Sequence, residues 1–306
     1  MKLIVTVTLN PCIDGASETE VVRPIRKIRT TNERYYAGGG GINVARVIAE
    51  LGGPVQAVYL NGGAIGPLLD RLLHDAGLTI RPVPIADTIR ISHAVFERST
   101  GLEYRFVAEG PAVTAAEFAQ CRQVLETLDF DWLVASGSLP RGLAPDCYAE
   151  LARFAAARGA RFVLDTSGPA LAATLADGHV YLAKPSLGEL QALVGHPVDT
   201  PAAQDAAALE FLGRVSMLVV TMGHKGALLA HAGGVTRLLP PPVPTRSATG
   251  AGDSFLGAMV LARAEGRSPE AALRSGVAAG TAAALTPGTE LCRRADVLRL
   301  EAALAG

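Results

Sequence analysis

The 306-residue sequence predicts an α/β fold, a three-layer α/β/α sandwich with a mostly parallel central sheet and a small peripheral β-sheet. Three observations carry that prediction. Short apolar runs alternate with helical stretches through the middle of the chain, the pattern of strands buried on both faces. Polar and glycine-containing segments follow the C-terminal ends of those runs, where open α/β sheets bind ligands. Two further β-rich segments, at about 12–36 and 88–108, read as strands on the periphery.

The elements follow in chain order. Residues 1–9, Met1 to Leu9, are rich in β-branched side chains and run into Asn10-Pro11 without a small-residue cleavage site. They read as a buried first strand rather than a signal peptide. Asp14 comes next, then a charged stretch to Tyr36 containing Arg23, Arg26, Lys27 and Arg29. Gly38-Gly39-Gly40-Gly41 leads into a helix in which Ala45, Ile48, Ala49 and Gly52 fall on one face, with Gly52-Gly53 as its end. Residues 54–60 read as a strand, 65–76 as a helix and 79–84 as extended. Residues 89–107 alternate about Ser99-Thr100-Gly101, giving a hairpin opened by Arg90. A helix at 115–128, strands at 131–135 and 161–165 flanking a helix at 144–158, and a strand at 181–185 follow. After a further helix comes a strand at 217–221, then a hairpin of 227–230 with 235–238. The prolines of 240–244 form a stiff connector. Two alanine-rich helices and a short C-terminal helix end the chain, with a turn at Thr286-Pro287-Gly288-Thr289. No repeat and no interdomain linker interrupts this order, so residues 1–306 read as one domain.

Composition narrows the function. Hydrophobic residues make up 49% and charged residues 19%, as in a soluble globular protein with a large core. A formal net charge of −1 and the lack of a basic run argue against nucleic acid or an anionic membrane surface as partner. Cys12, Cys121, Cys147 and Cys292 are scattered, without metal-ligand spacing, which fits a reducing cytoplasm. The six histidines do not cluster and read as exposed or packing residues, His224 in a loop included. A P-loop, a dinucleotide fingerprint and the protein-kinase signature set are all missing.

Two stretches carry candidate chemistry. In Thr249-Gly250-Ala251-Gly252-Asp253-Ser254 a small-residue loop enters an apolar helix, whose first N–H groups have no intrahelical partners and can cradle an anion. Taken alone, Asp253 reads as an N-terminal cap worth ~1 kcal/mol. A carboxylate is poorly suited to holding a phosphate, but it suits the removal of a proton from a hydroxyl while the cradle stabilises a transferring phosphoryl group. The early glycine run is the second stretch. Four glycines before a helix suggest close backbone approach to a ligand, with Asn43 in reach of a substrate hydroxyl. Ser136-Gly137-Ser138, the stretch from Lys184 to Glu189, and Thr221 to Gly226 form one rim of strand ends. Arg90 is either a surface arginine or a bidentate phosphate ligand.

The glycine run with Ile42-Asn43-Val44-Ala45 and the late Gly250-Ala251-Gly252-Asp253 resemble the two signature regions of the PfkB carbohydrate kinases, which have a ribokinase-like fold. Tyr104-Arg105-Phe106-Val107, Ser136 to Pro140, Pro240 to Val243 and Gly276 to Gly280 extend the resemblance over essentially the whole chain, towards the phosphofructokinases of the family. The resemblance implies ATP-dependent phosphorylation of fructose 6-phosphate at its 1-hydroxyl, with 1-phosphofructokinase or tagatose-6-phosphate kinase activity as alternatives. A non-catalytic sugar-phosphate sensor on the same fold is the alternative of a different class. It also implies site residues. Asp253 would be the base and Gly250, Ala251 and Gly252 the anion hole. Asp14, Gly39, Asn43, Glu103 and Ser138 would hold the sugar, and Arg90, Lys27 and Arg29 its 6-phosphate. Lys184, Thr221, Gly223 and Gly226 would bind ATP, with Ala279 and Ala283 against the adenine. Glu189 would organise Mg2+ through water, and backbone oxygens near Ser247, Thr249 and Gly288 could take a monovalent cation, K+. Ser186 departs from the family's usual asparagine, and Gly40 stands where relatives acting on other phosphosugars tend to carry lysine. The two β segments would form a lid, which also offers an edge for a homodimer.

Overall fold

The structure, a computed structural model, describes residues 3–247, 249–288 and 290–305. Met1 and Lys2 of the predicted first strand and Thr289 of the predicted turn lie outside the described residues.

The chain begins with strands β1 (Ile4–Thr8), β2 (Cys12–Thr19) and β3 (Thr31–Gly38), then helix α1 (Gly40–Glu50). Next come β4 (Val55–Asn61), α2 (Gly66–Asp75), β5 (Thr79–Pro84), β6 (Arg90–Glu97) and β7 (Leu102–Val107). The central stretch is α3 (Ala115–Glu126), β8 (Trp132–Ser136), α4 (Cys147–Ala157), β9 (Arg161–Asp165), α5 (Gly168–Asp177) and β10 (Val180–Ala183). It continues through α6 (Leu187–Val194), α7 (Pro201–Leu209), β11 (Val215–Thr221), β12 (Ala227–His231) and β13 (Gly234–Leu238). Helices α8 (Ala251–Ala264), α9 (Pro269–Ala284) and α10 (Arg294–Ala303) close it.

Among the described residues, nine strands form one sheet in the order β13-β12-β11-β10-β9-β8-β1-β4-β5. Every pairing from β5 to β11 is parallel, and the β11–β12 and β12–β13 pairings are antiparallel. All residues of β1, β4 and β8 are buried, because helices cover both faces. One layer is built from α1, α8, α9 and α10, and the other from α3 to α7. The predicted single helix before residue 217 is two helices, since Gly195 ends α6 in a left-handed conformation and Thr200 caps α7. The helix α5 has no counterpart in the sequence reading.

The predicted face of α1 is too narrow. Ala45 and Ile48 are buried, but so are Ile42, Val44 and Val47, while Ala49 is half-buried and Gly52 exposed. The helix is clasped between the sheet and α8, so two of its faces pack.

The peripheral strands form a separate sheet in the order β3-β2-β6-β7. Register places Asp14, Tyr36, Ser92 and Val107 in one row and Gly15, Tyr35, His93 and Phe106 in the next, on opposite faces. Arg90 and Glu103 share the face of Asp14.

Candidate active site

The two glycine-rich stretches meet. Asn43, in the first turn of α1, donates from Nδ2 to Oδ2 of Asp253 at 2.9 Å, across 210 residues of chain. The site is assembled where strand ends and two helix N-termini converge.

Gly250 caps α8 with φ 74°, a left-handed conformation that suits glycine. A Cβ there would meet Leu291 at 2.7 Å. The backbone N–H groups that follow are the unpartnered donors of a helix N-terminus and form the cradle. Lys184, just beyond β10, lies beside it, since a Cβ on Gly252 would stand 3.5 Å from its Nζ. The ammonium pairs with Oδ1 of Asp165 at 3.0 Å, both side chains being largely buried. Burial by itself would lower the pKa of Lys184, but Asp165, Asp253 and Glu189 outweigh it and hold the value above the ordinary one.

Asp253 is the perturbed acid of the cluster. Burial raises its pKa from 3.8 to about 7, Asp165 and Asp14 push in the same direction, and the Asn43 bond and Lys184 oppose them. A half-buried carboxyl poised near neutrality beside the cradle is suited to accepting a proton.

On the sugar side, Gly39 caps α1 and Gly40 begins it. A Cβ on Gly40 would lie 2.4 Å from Ser136 Oγ and 2.8 Å from the Gly137 nitrogen, so α1 and the end of β8 touch through bare backbone. Ser138 accepts from Asn10 Nδ2 at 3.1 Å. Asp14 sits on β2 beside Cys12, whose thiol donates to it at 3.1 Å. Arg90 donates to the carbonyls of Ala108 at 2.9 Å and Asn10 at 3.2 Å, leaving its buried Nε without a partner. Asn43 thus touches Asp253, the charge of Asp14 acts on it, and Asn10 links Arg90 to Ser138.

Lys27, Arg29 and Glu103 do not join them. Lys27 and Arg29 lie exposed on the connection between β2 and β3, and Glu103 is exposed on β7 beside Arg105 at 4.0 Å. They lie on the small sheet and its β2–β3 connection, as Asp14 and Arg90 lie on β2 and β6.

A cavity of about 870 Å³ opens on the other side of the cradle. Thr221, Gly223 and Gly226 line it from the end of β11, with His224 among them, and Ala251, Gly252 and Phe255 line it from α8. Its floor on α9 differs from the expectation. Ala279 and Ala283 are fully buried in a cluster with Val47, Ala258 and Val297. The α9 residues that reach the cavity are Val277, Gly280, Thr281 and Ala284. These recur at helical spacing on the neighbouring face, so the predicted pair is rotated away from the pocket by one residue.

Glu189 and Ser186 form a reciprocal capping box. Ser186 N–H donates to the Glu189 carboxylate at 2.7 Å, and Glu189 N–H donates to Ser186 Oγ at 3.3 Å. Serine thus fills a local structural role at the position that departs from the family pattern. Ser247 donates to the Gly288 carbonyl at 2.8 Å and accepts from Thr249 N–H at 3.1 Å, so these three residues adjoin each other.

Asp165, Thr281, Phe255 and Asn10 escaped the sequence reading. Asp165 had a usable signal, because it ends an apolar strand as Ser136 and Lys184 end theirs. Thr281 had none, being one polar residue in an alanine-rich helix.

Known proteins resemble this chain over its whole length. The chain is 42% identical over 308 residues to the ATP-dependent 6-phosphofructokinase isozyme 2 of Escherichia coli, covering 100% of both chains. A 1-phosphofructokinase of Xanthomonas campestris is 34% identical, over 84% of this chain and 83% of its own. Crystal structures of phosphofructokinase-2 from Escherichia coli superpose with a TM-score of 0.96 for a potassium complex and 0.94 for a fructose-6-phosphate complex, each at 41% identity and 100% coverage of both chains. Residues 7–296 match the profile of the pfkB family carbohydrate kinases, and the chain belongs to that family.

Proposed function

We propose that the protein is an ATP-dependent 6-phosphofructokinase, which transfers the terminal phosphoryl group of ATP to the 1-hydroxyl of fructose 6-phosphate and yields fructose 1,6-bisphosphate and ADP. The observation that carries this reading is the contact of Asn43 with Asp253 beside the α8 cradle. It supports a reading in which the N-terminal end of α1 faces the sugar and the adjoining Asp253 carboxylate accepts its proton.

In this reading Asp253 accepts the proton of the 1-hydroxyl. The sugar oxygen forms its bond to the terminal phosphorus as the bond to the ADP oxygen breaks, in line. The N–H groups of Gly250, Ala251 and Gly252 and the Lys184 ammonium face the charge on the transferring group. Asp14, Gly39, Asn43 and Ser138 orient the sugar, and Arg90 faces its 6-phosphate. The cavity between β11, α8 and α9 takes the nucleotide. The lid, residues 12–36 and 88–108, would bring Lys27, Arg29 and Glu103 over the sugar and exclude water.

Among the described residues no group of three or more His, Cys, Asp or Glu side chains forms a ready-made metal site, which fits a magnesium ion that keeps several waters and is held mainly by nucleotide phosphates. Glu189 would hold it through water, and the ion would neutralise phosphate charge. The adjoining oxygens of Ser247 and Gly288, with Thr249, fit a potassium ion near the cradle. A homodimer through the lid is supported by Tyr35, Leu102 and Phe106, which are 47%, 60% and 61% exposed on one face of the small sheet. Buried, unpaired Cys12, Cys121, Cys147 and Cys292 suit a reducing cytoplasm.

Gly40 supports fructose 6-phosphate as the substrate. A lysine there could not enter the present backbone without moving Ser136 and Gly137, and with them Ser138. The test is ADP release with fructose 6-phosphate, tagatose 6-phosphate and fructose 1-phosphate. The highest kcat/KM is expected for the first. A higher value for either of the others overturns the substrate assignment, and sugar binding without ADP release would make the protein a sensor.

A further inference from the structure

Arg46 stands one helical turn after Asn43 on α1 and is absent from every role assigned above. Its Nη1 donates to the backbone carbonyl of Ala37 at 3.0 Å and to Oδ1 of Asn43 at 3.4 Å. The same Asn43 side chain donates from Nδ2 to Asp253. An amide has one acceptor end and one donor end. With Arg46 on the oxygen, the NH2 end has to face the carboxylate.

We propose that Arg46 is a positioning residue for phosphoryl transfer: it locks the Asn43 amide so that Nδ2 holds Asp253, and it ties this pair to Ala37 at the end of β3. The proposal rests on the reading of Asp253 as the base. Without the guanidinium, the Asn43 amide can turn its oxygen towards Asp253, and two acceptors then repel. The proton acceptor loses its fixed direction, while the nucleotide cavity, which Arg46 does not line, keeps its shape.

The second link reaches the small sheet. Ala37 is the penultimate residue of β3, and Gly38 and Gly39 join that strand to α1. A displacement of β3 would move the Ala37 carbonyl and be felt by Asn43 through one nitrogen. The guanidinium also borders a second cavity of about 450 Å³, with Glu50, Glu290 and Arg293. A side chain on the edge of open space can be shortened without leaving a sealed void. The charged and titratable groups facing Arg46 are Asp14 on β2, Tyr36 on β3, Asp253 on α8 and Glu290 after α9. Those facing Asp253 are Asp165 on β9, Lys184 after β10 and Asp14 on β2, with the Asn43 amide opposing them from α1.

The experiment is a double-mutant cycle of Arg46→Met and Asn43→Ala in the full chain, with kcat, both KM values and the pH dependence of kcat/KM measured. Arg46→Met is expected to lower kcat about ten- to hundredfold, the size of losing a hydrogen bond to a charged group, with KM for ATP within about twofold. Its acid limb is expected to move to higher pH, because the Asn43 bond is one of the two influences that lower the pKa of Asp253. In the Asn43→Ala background, Arg46→Met is expected to add little. Arg46→Lys keeps the charge and a donor, and is expected to recover part of kcat. Additive losses in the cycle, or an unmoved acid limb in a folded Arg46→Met protein, overturn the proposal. Asp253→Asn separates the two readings: near wild-type turnover in that variant removes the base itself, whereas its inactivity with an additive cycle removes only the role of Arg46.

Discussion

Asp253→Asn is expected to make the protein more stable while disabling it. Burial and the neighbouring Asp165 and Asp14 carboxylates raise the Asp253 pKa from 3.8 to about 7. That gap corresponds to ~4 kcal/mol of additional cost for ionising the group inside the fold. The unfolded chain releases this proton near 3.8 and the native chain near 7. At a pH of about 4 or below the carboxyl is mostly neutral in both states, and the penalty nearly vanishes. Above about 7 both states are ionised, and the native state bears the full cost. Through this group the wild type loses stability as the pH rises between those values. Asparagine carries no charge and still offers Asn43 an oxygen, so the variant avoids the loss. Allowing for solvent screening of this half-buried group, the expected gain at about pH 8 is ~1–4 kcal/mol, against well under ~1 kcal/mol at about pH 4. Urea unfolding of both proteins at the two pH values measures it. Turnover is expected to fall by ~10²–10⁴. An equal stability difference at both pH values would refute the raised pKa, and turnover close to wild type would refute the base.

The same reasoning extends to the neighbours. The kcat/KM of the wild type is expected to rise with pH through an acid limb near 7, because only the ionised carboxylate accepts a proton; a profile flat from about pH 5 to 8 would contradict this. Lys184→Met leaves Asp165 buried without its cation, so a loss of ~3–5 kcal/mol in urea unfolding is expected, with the acid limb moved upward since Lys184 lowers the pKa of Asp253. Arg90→Ala is expected to raise KM for fructose 6-phosphate at least ~tenfold with little change for ATP, and an equal rise for both would make Arg90 purely structural. Gly40→Ala forces a methyl against Ser136 and Gly137, so kcat/KM for the sugar is expected to drop while nucleotide affinity, read by equilibrium titration, holds.

The parts of the site that lie in continuous sequence were the legible ones. The glycine run before α1 and the Gly250 to Asp253 loop before α8 announced two helix N-termini, and polar residues after apolar runs announced the strand ends at Ser136, Lys184 and Thr221. Alternation about residues 99–101 fixed the β6 and β7 hairpin. Asp165 carries the same strand-end signal, but its pairing with Lys184 at 3.0 Å arises only in the fold. Ala279 and Ala283 were misassigned because in a helix of small residues the sequence barely distinguishes one face from the next. Only the packing of α9 against α8 and α10 turns Val277, Gly280, Thr281 and Ala284 to the cavity. Ser186, which departs from the family's usual asparagine, is a helix cap.

By itself, the order of apolar and glycine-rich segments determined the α/β architecture, the separate small sheet and the chemistry available to each loop, since backbone geometry and periodicity are local properties. The tertiary structure decided what happens between segments: the pairing of Asn43 with Asp253, the rotation of α9, and the protonation of the acid. Those depend on the distance and burial of groups far apart in the chain, and only the folded sheet brings them into one electrostatic environment.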